Sequence, residues 1–127
     1  MSDEETPVGR ILWHDLTVDR ADEVRAFYER VVGWSSEPVD MGDYEDFEML
    51  VPDGGDAVAG VCHARGPNAG LPAQWLMYVG VEDLEASVRR CLEMGGAVVA
   101  EPAETAGARH AVIRDPAGAV VALYEPA

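Results

Sequence analysis

Lysine is absent from this 127-residue chain. All nine basic residues are arginines, so neither a Schiff-base lysine nor the lysine of a phosphate-binding P-loop is available. Cysteine is scarce. Cys62 and Cys91 are too few for a disulfide scaffold and lack CxxC spacing. One falls on a predicted strand and the other on a predicted helix, where both read as small apolar fillers. No run of 18 apolar residues occurs, so no membrane-spanning helix is expected. The acidic start MSDEET is unlike a signal peptide, and a cytoplasmic protein is the expectation. Positive charge is sparse altogether: nine basic residues against 24 acidic ones leave a net charge of −15. Such a field repels nucleic acid and anionic membranes, and favours cations or cationic small molecules. The plainer account of that charge is solubility.

What is present is organised around Trp13–Trp34, WHDLTVDRADEVRAFYERVVGW. Leu16 and Val18 alternate with polar neighbours, as in a half-buried strand. Asp19 and Asp22 offer N-cap oxygens ahead of Val24, Phe27, Tyr28 and Val31, which share one helix face. Gly33 supplies the left-handed stop. The same order returns in WLMYVGVEDLEASVRRCLEMGG, Trp75 to Gly96. Val18 and Val81, Asp19 and Glu82, Gly33 and Gly96, and Ala59 and Ala122 are each 63 positions apart. A two-fold repeat of small modules follows.

The expected class is α+β, with two tandem βαβββ modules whose curved mixed sheets enclose a cleft, helices outside. Residues 1–9 form a lead-in, 10–63 the first module, 64–73 a Pro/Gly-rich linker and 74–127 the second module. Helices are predicted over 21–32 and 85–94. Strands are predicted over 10–18, 35–40, 47–51, 57–63, 74–81, 97–101, 110–114 and 119–124, with EPAETAGAR as a loop. Neither module is large enough to bury much core alone.

Alternation sorts the strand faces. Leu16, Val18, Val79, Val81, Val121 and Leu123 should face the helices. Trp13, Asp15, Thr17, Leu76, Tyr78, Val120, Ala122 and Tyr124 should face the cleft, with Ala59, Val61 and His63 as their strand-4 counterparts. The expected ligand-binding set is therefore Trp13, Asp15, Thr17, His63, Leu76, Tyr78, Ala122 and Tyr124. That mixture of apolar surface and a few polar groups suits a small molecule. If these residues instead fill a closed core, Asp15 needs a partner, and Tyr78 is the candidate.

AFYERVVGW, WLMYVGVEDLEASVRRCLEMGG and the closing RDPAGAVVALYE resemble the vicinal oxygen chelate superfamily over nearly the whole chain. That superfamily includes glyoxalase I, bleomycin-resistance proteins and extradiol dioxygenases. More narrowly, WHDLTVD with FYERVVGW and DPAGAVVAL resembles a glyoxalase-like subgroup. Metal-dependent members place a His or Gln on strand 1, a His on strand 5, and a Glu on each of strands 4 and 8. The matching positions here are Trp13, Leu76, Ala59 and Ala122, none of which binds a metal. No cofactor is therefore expected, and a divalent metal rebuilt from His14, His63 and Asp15 is the disfavoured alternative.

Three functions compete. The first is a bleomycin-resistance-like protein binding a small, partly apolar or aromatic molecule in a metal-free cleft. The second is a metal-independent acid/base enzyme, with Asp15 as base and Tyr78 as donor to an oxyanion. The third is a metal-dependent lyase or dioxygenase with displaced ligands. An enzyme would be of the lyase/isomerase or oxygenase class. The resemblance also implies a homodimer, while the negative charge and the lack of a long apolar run argue against a nucleic-acid or membrane partner.

Overall fold

The computed structural model describes residues 7–53 and 55–127. Its elements are β1 (Ile11–Val18), α1 (Ala21–Val31), β2 (Ser35–Asp40), β3 (Glu45–Leu50), β4 (Ala57–His63), β5 (Trp75–Gly80), α2 (Leu84–Glu93), β6 (Ala97–Thr105), β7 (Ala108–Arg114) and β8 (Val120–Glu125). The order is βαβββ twice, a mixed α+β protein. A 3-10 turn, Gly66–Asn68, lies in the expected linker. Among the described residues no helix is long and apolar enough to cross a membrane.

The chain divides into two compact units. One is Trp13–Trp75; the other joins the segment through Leu12 to Leu76–Ala127. The boundary thus falls inside β1 rather than ahead of it. Hydrogen bonds explain the assignment: Gly9 N–H donates to the Gly80 carbonyl at 2.8 Å, and Gly80 N–H donates to the Arg10 carbonyl at 2.9 Å. Pro7–Gly9, expected as part of a loose lead-in, are tied down by this ladder. The first six residues of that lead-in lie outside the described residues.

In the Trp13–Trp75 unit the strands run β2-β3-β4-β1. The first two pairings are antiparallel, and β4 with β1 is parallel, as the α1 crossover requires. Phe47, Met49, Ala59 and Val61 form its core with Ala21, packed by Val18, Val24, Tyr28, Trp34 and Trp75. The C-terminal unit repeats the pattern as β6-β7-β8-β5. Here Leu84, Ala111 and Leu123 form the core, flanked by Val81, Val88 and Ile113.

Several expectations shift. The buried stripe of α1 is rotated by about one residue. Ala21, Val24 and Tyr28 face the sheet, whereas Phe27 is 55% and Val31 64% exposed. Arg25 takes the remaining position on that stripe, with its guanidinium 4.8 Å over the Phe47 ring. The α1 N-cap is Arg20, which makes no side-chain cap bond; Asp19 and Asp22 do not cap. In α2 Asp83 does cap, accepting from Ala86 N–H at 3.1 Å. Gly33 ends α1 with φ +92°, as expected. After α2 the left-handed residue is Gly95, φ +95°, not Gly96. β6 extends to Thr105, so most of the expected EPAETAGAR loop is a hairpin turning at Ala106-Gly107.

Candidate functional site

Trp13, Asp15 and Thr17 alternate with Leu16 and Val18 on β1, so they occupy the sheet face opposite α1. The Trp13 indole Nε1–H donates to Asp15 Oδ1 at 2.7 Å. Asp15 is paired in register with Gly60 of β4. A Cβ at Gly60 would overlap Asp15 Oδ1, and would come within 3.3 Å of its Cγ and 3.5 Å of Trp13 Nε1. The carboxylate therefore lies across a strand position that only glycine leaves clear. Thr17, paired with Cys62, is buried.

Cys62 sits on this same face. Burial, then the nearby carboxylates of Asp15 and Asp46 and a hydrogen bond with Asp46, push its thiol pKa well up. It remains a thiol at neutral pH and is no nucleophile. Glu48, opposite Gly60 in the β3–β4 ladder, adds a further carboxylate to the face. This Trp13–Asp15 face is thus acidic with an indole at one end.

His63 lies elsewhere. The β1–β4 register pairs Val18 with His63 and Leu16 with Val61, which places Val61 and His63 on the α1 side. The repeat predicts Ala59, Val61 and His63 on the opposite face, and the difference is one residue of phase. Met49 pairs with Ala59 and Leu50 with Ala57, leaving Val58 as an extra residue in β4. This β-bulge puts the β4 residues that follow Val58 one position out of phase with the repeat. His63 Nδ1 lies 3.2 Å from Asp46 Oδ1 and its Nε2 lies 3.6 Å from Asp22 Oδ2. Its backbone N–H also donates to Asp46 at 2.8 Å, and its ring meets Tyr44 edge-on. His63 ties β3, β4 and α1 together.

In the C-terminal unit, Tyr78 pairs with Ala122 and Gly80 with Tyr124, on the face opposite Val79 and Leu123. His110 pairs with Tyr124 and joins that face; alternation on β7 would have found it. Tyr78 and Tyr124 are half-buried, while Leu76 is 1% and Ala122 0% exposed. As positioned, Leu76 and Ala122 are packing residues with no surface for a ligand.

The registers also locate the counterparts of the family's metal-ligand positions. Asp15 pairs with Gly60, and its repeat mate Tyr78 pairs with Ala122. The β4 counterpart of Ala122 is therefore Gly60, not Ala59. The four family ligand positions carry an indole (Trp13), an isobutyl group (Leu76), a bare Cα (Gly60) and a methyl group (Ala122). None offers a donor, so these residues do not fit a divalent ion. His14 is exposed and alternates with Asp15, so β1 sends the two to opposite faces.

Among the described residues one acidic cluster brings three carboxylates together: Asp83, Glu85 and Glu125, with ligand atoms within 4.8 Å of one another. All three are engaged. Asp83 caps α2, Glu125 Oε1 accepts from Leu84 N–H at 2.7 Å, and both Glu85 oxygens accept from Arg109. That arginine holds the Glu85 carboxyl below its ordinary pKa. The helix N-terminus and Arg109 already supply the positive partners.

The model of a family described as a glyoxalase-like domain matches residues 13–124. The chain belongs to the glyoxalase-like domain family. CFP32 of Mycobacterium tuberculosis, whose name carries a provisional glyoxylase assignment, is 35% identical over 94% of this glyoxalase-like chain and 45% of its own length. The anthracycline biosynthesis protein DnrV of Streptomyces peucetius is 32% identical over 92% of this chain and 42% of its own. The chain thus spans under half the length of these curated relatives. Solved structures share the fold. A glyoxalase/bleomycin resistance protein/dioxygenase superfamily member from Vibrio splendidus 12B01 superposes with a TM-score of 0.57 at 16% identity, over 89% of this chain and 96% of that one. Methylmalonyl-CoA epimerase from Mycobacterium tuberculosis gives 0.52 at 22% identity, over 98% and 92%.

Proposed function

We propose that this glyoxalase-like protein binds a small, partly apolar or aromatic molecule at the Trp13–Asp15 face, without a resident metal. The observation that carries the reading is the Asp15 carboxylate, fixed by the Trp13 indole and laid over Gly60. A fixed carboxylate beside an indole suits a ligand with an aromatic or apolar body and a cationic nitrogen. Glu48 on the same face and the net charge of −15 favour the same ligand class. The name of DnrV, an anthracycline biosynthesis protein, is in keeping with a ligand that carries fused rings.

Melting-shift screening of cationic aromatic compounds in EDTA tests the reading. Asp15→Asn keeps an oxygen to accept from Trp13 and removes only the charge. A stabilising ligand whose shift survives EDTA and is lost in Asp15→Asn supports the proposal. Ligand shifts that need an added divalent metal refute it. Turnover in EDTA that disappears in Asp15→Asn would instead favour Asp15 as a general base, with Tyr78 tested by Tyr78→Phe.

A further inference from the structure

We propose that the α1 side of the Trp13–Trp75 unit carries a second binding site, for a neutral one- or two-ring aromatic compound with a single hydrogen-bonding substituent. A pocket of 240 Å³ opens there, lined by His14, Trp34, Val58, Ala59 and Trp75. It is separate from the Trp13–Asp15 face: Ala59 belongs to the core under α1, and His14 alternates with Asp15 on β1.

Three independent features build it. The first is the β-bulge. Val58 and Ala59 are consecutive, yet both line the pocket, which regular strand alternation forbids. The extra residue at Val58 re-aims its side chain, which lines the pocket together with Trp34. The second is the aromatic wall. Gly33 reverses the chain after α1 and delivers Trp34 against Trp75, ring centroids 6.0 Å apart at 72°. The Trp75 Nε1–H is occupied by the Tyr28 hydroxyl at 3.0 Å, which fixes that ring in place. Both indoles remain half-exposed, unlike the buried core beside them. The third is the polar content. Apart from the indole N–H groups, the lining offers one polar side chain, the exposed imidazole of His14.

These features set the ligand class. The volume lies below the roughly 300–1,000 Å³ of drug-sized clefts, so one or two fused rings fill it. Two indoles at a steep angle accept a flat ring by offset or edge contact. No arginine lines the pocket to receive a carboxylate, and the net charge of −15 disfavours anions. A hydroxyl or amide on the ring can reach His14.

The probe is 2-naphthol, titrated into the full chain and followed by the side-chain Nε1–H resonances of Trp13, Trp34 and Trp75, assigned by single Trp→Phe variants. The expected result is saturable shifts of the Trp34 and Trp75 signals with one common midpoint, and none for Trp13. Val58→Phe, which places a ring in the pocket, should weaken binding at least ten-fold, while Asp15→Asn leaves it unchanged. If Val58→Phe does not fold, transferred contacts between 2-naphthol protons and the Trp34 and Trp75 rings in the unaltered protein decide the matter. Shifts centred on Trp13, shifts that do not saturate, or full affinity in Val58→Phe would overturn the proposal. Loss of binding in Asp15→Asn would assign the probe to the other face instead.

Discussion

Replacing Gly60 by alanine is the most direct probe of how Asp15 is held. A Cβ at Gly60 overlaps Asp15 Oδ1 and stands 3.3 Å from Cγ, so the carboxylate must swing away from β4 by about an ångström to restore van der Waals distance. That movement breaks the 2.7 Å bond from Trp13 Nε1. A hydrogen bond to a charged group contributes about 1.5–3 kcal/mol. Gly60 does not have the positive φ that would itself penalise alanine, so the gain from a stiffer unfolded chain offsets about 0.5 kcal/mol of this. The expected net loss is about 1–2.5 kcal/mol, read by urea denaturation. The cause is isolated by a double-mutant cycle with Asp15→Ala. Without the carboxylate nothing stands in the way of the Cβ except the Trp13 ring, so Gly60→Ala should then be neutral or slightly stabilising. An equal loss in both backgrounds would refute the reasoning, because the cost would then lie in the backbone rather than in the Asp15 contact.

Other expectations follow from the same geometry. Cys62 should resist iodoacetamide at pH 8 in the native protein and react in urea, and Asp15→Asn should speed its native labelling. Its folded pKa is raised, so the stabilisation it lends is complete below the ordinary thiol value of 9.0 and is lost as pH rises above it; equal alkaline melting curves for Cys62→Ala and the parent would contradict this. Glu85 shows the opposite sign. Its folded pKa is lowered by Arg109, so its contribution is present above the ordinary 4.5 and lost as pH falls toward the lower folded value. Glu85→Gln should therefore reduce the acid sensitivity of the melting temperature below that pH. Asp83→Ala, which removes the α2 cap, should cost about 1 kcal/mol by chemical denaturation, whereas Asp19→Ala, at a position that does not cap, should cost less than half of that.

The repeat was legible because hydrophobic period and glycine stops occur twice in the same order. Both helices and most strands fall within a few residues of where periodicity puts them. What the sequence hid has a local cause. A bulge carries no compositional mark: AVAGVCH contains no polar alternation to betray that Val58 is supernumerary, so the face of β4 was read one residue out of phase. The same slip concealed Gly60, the residue that lets Asp15 lie flat. The α1 stripe departs from its apolar periodicity because Arg25 occupies an apolar position by stacking on Phe47 while Phe27 turns outward. The Trp34–Trp75 pocket was invisible because it depends on residues 41 positions apart, brought together by the turn at Gly33.

The central claim is that the Trp13–Asp15 face works without a metal. Elemental analysis tests it most directly, on untagged protein incubated with Mn, Fe, Co, Ni and Zn and then dialysed extensively. The account predicts well under a tenth of an equivalent of any metal, because Trp13, Leu76, Gly60 and Ala122 present no ligand atom. Near one equivalent of a single metal, lost in Asp15→Asn, would contradict it and turn Asp15 from an organic-ligand contact into a metal ligand.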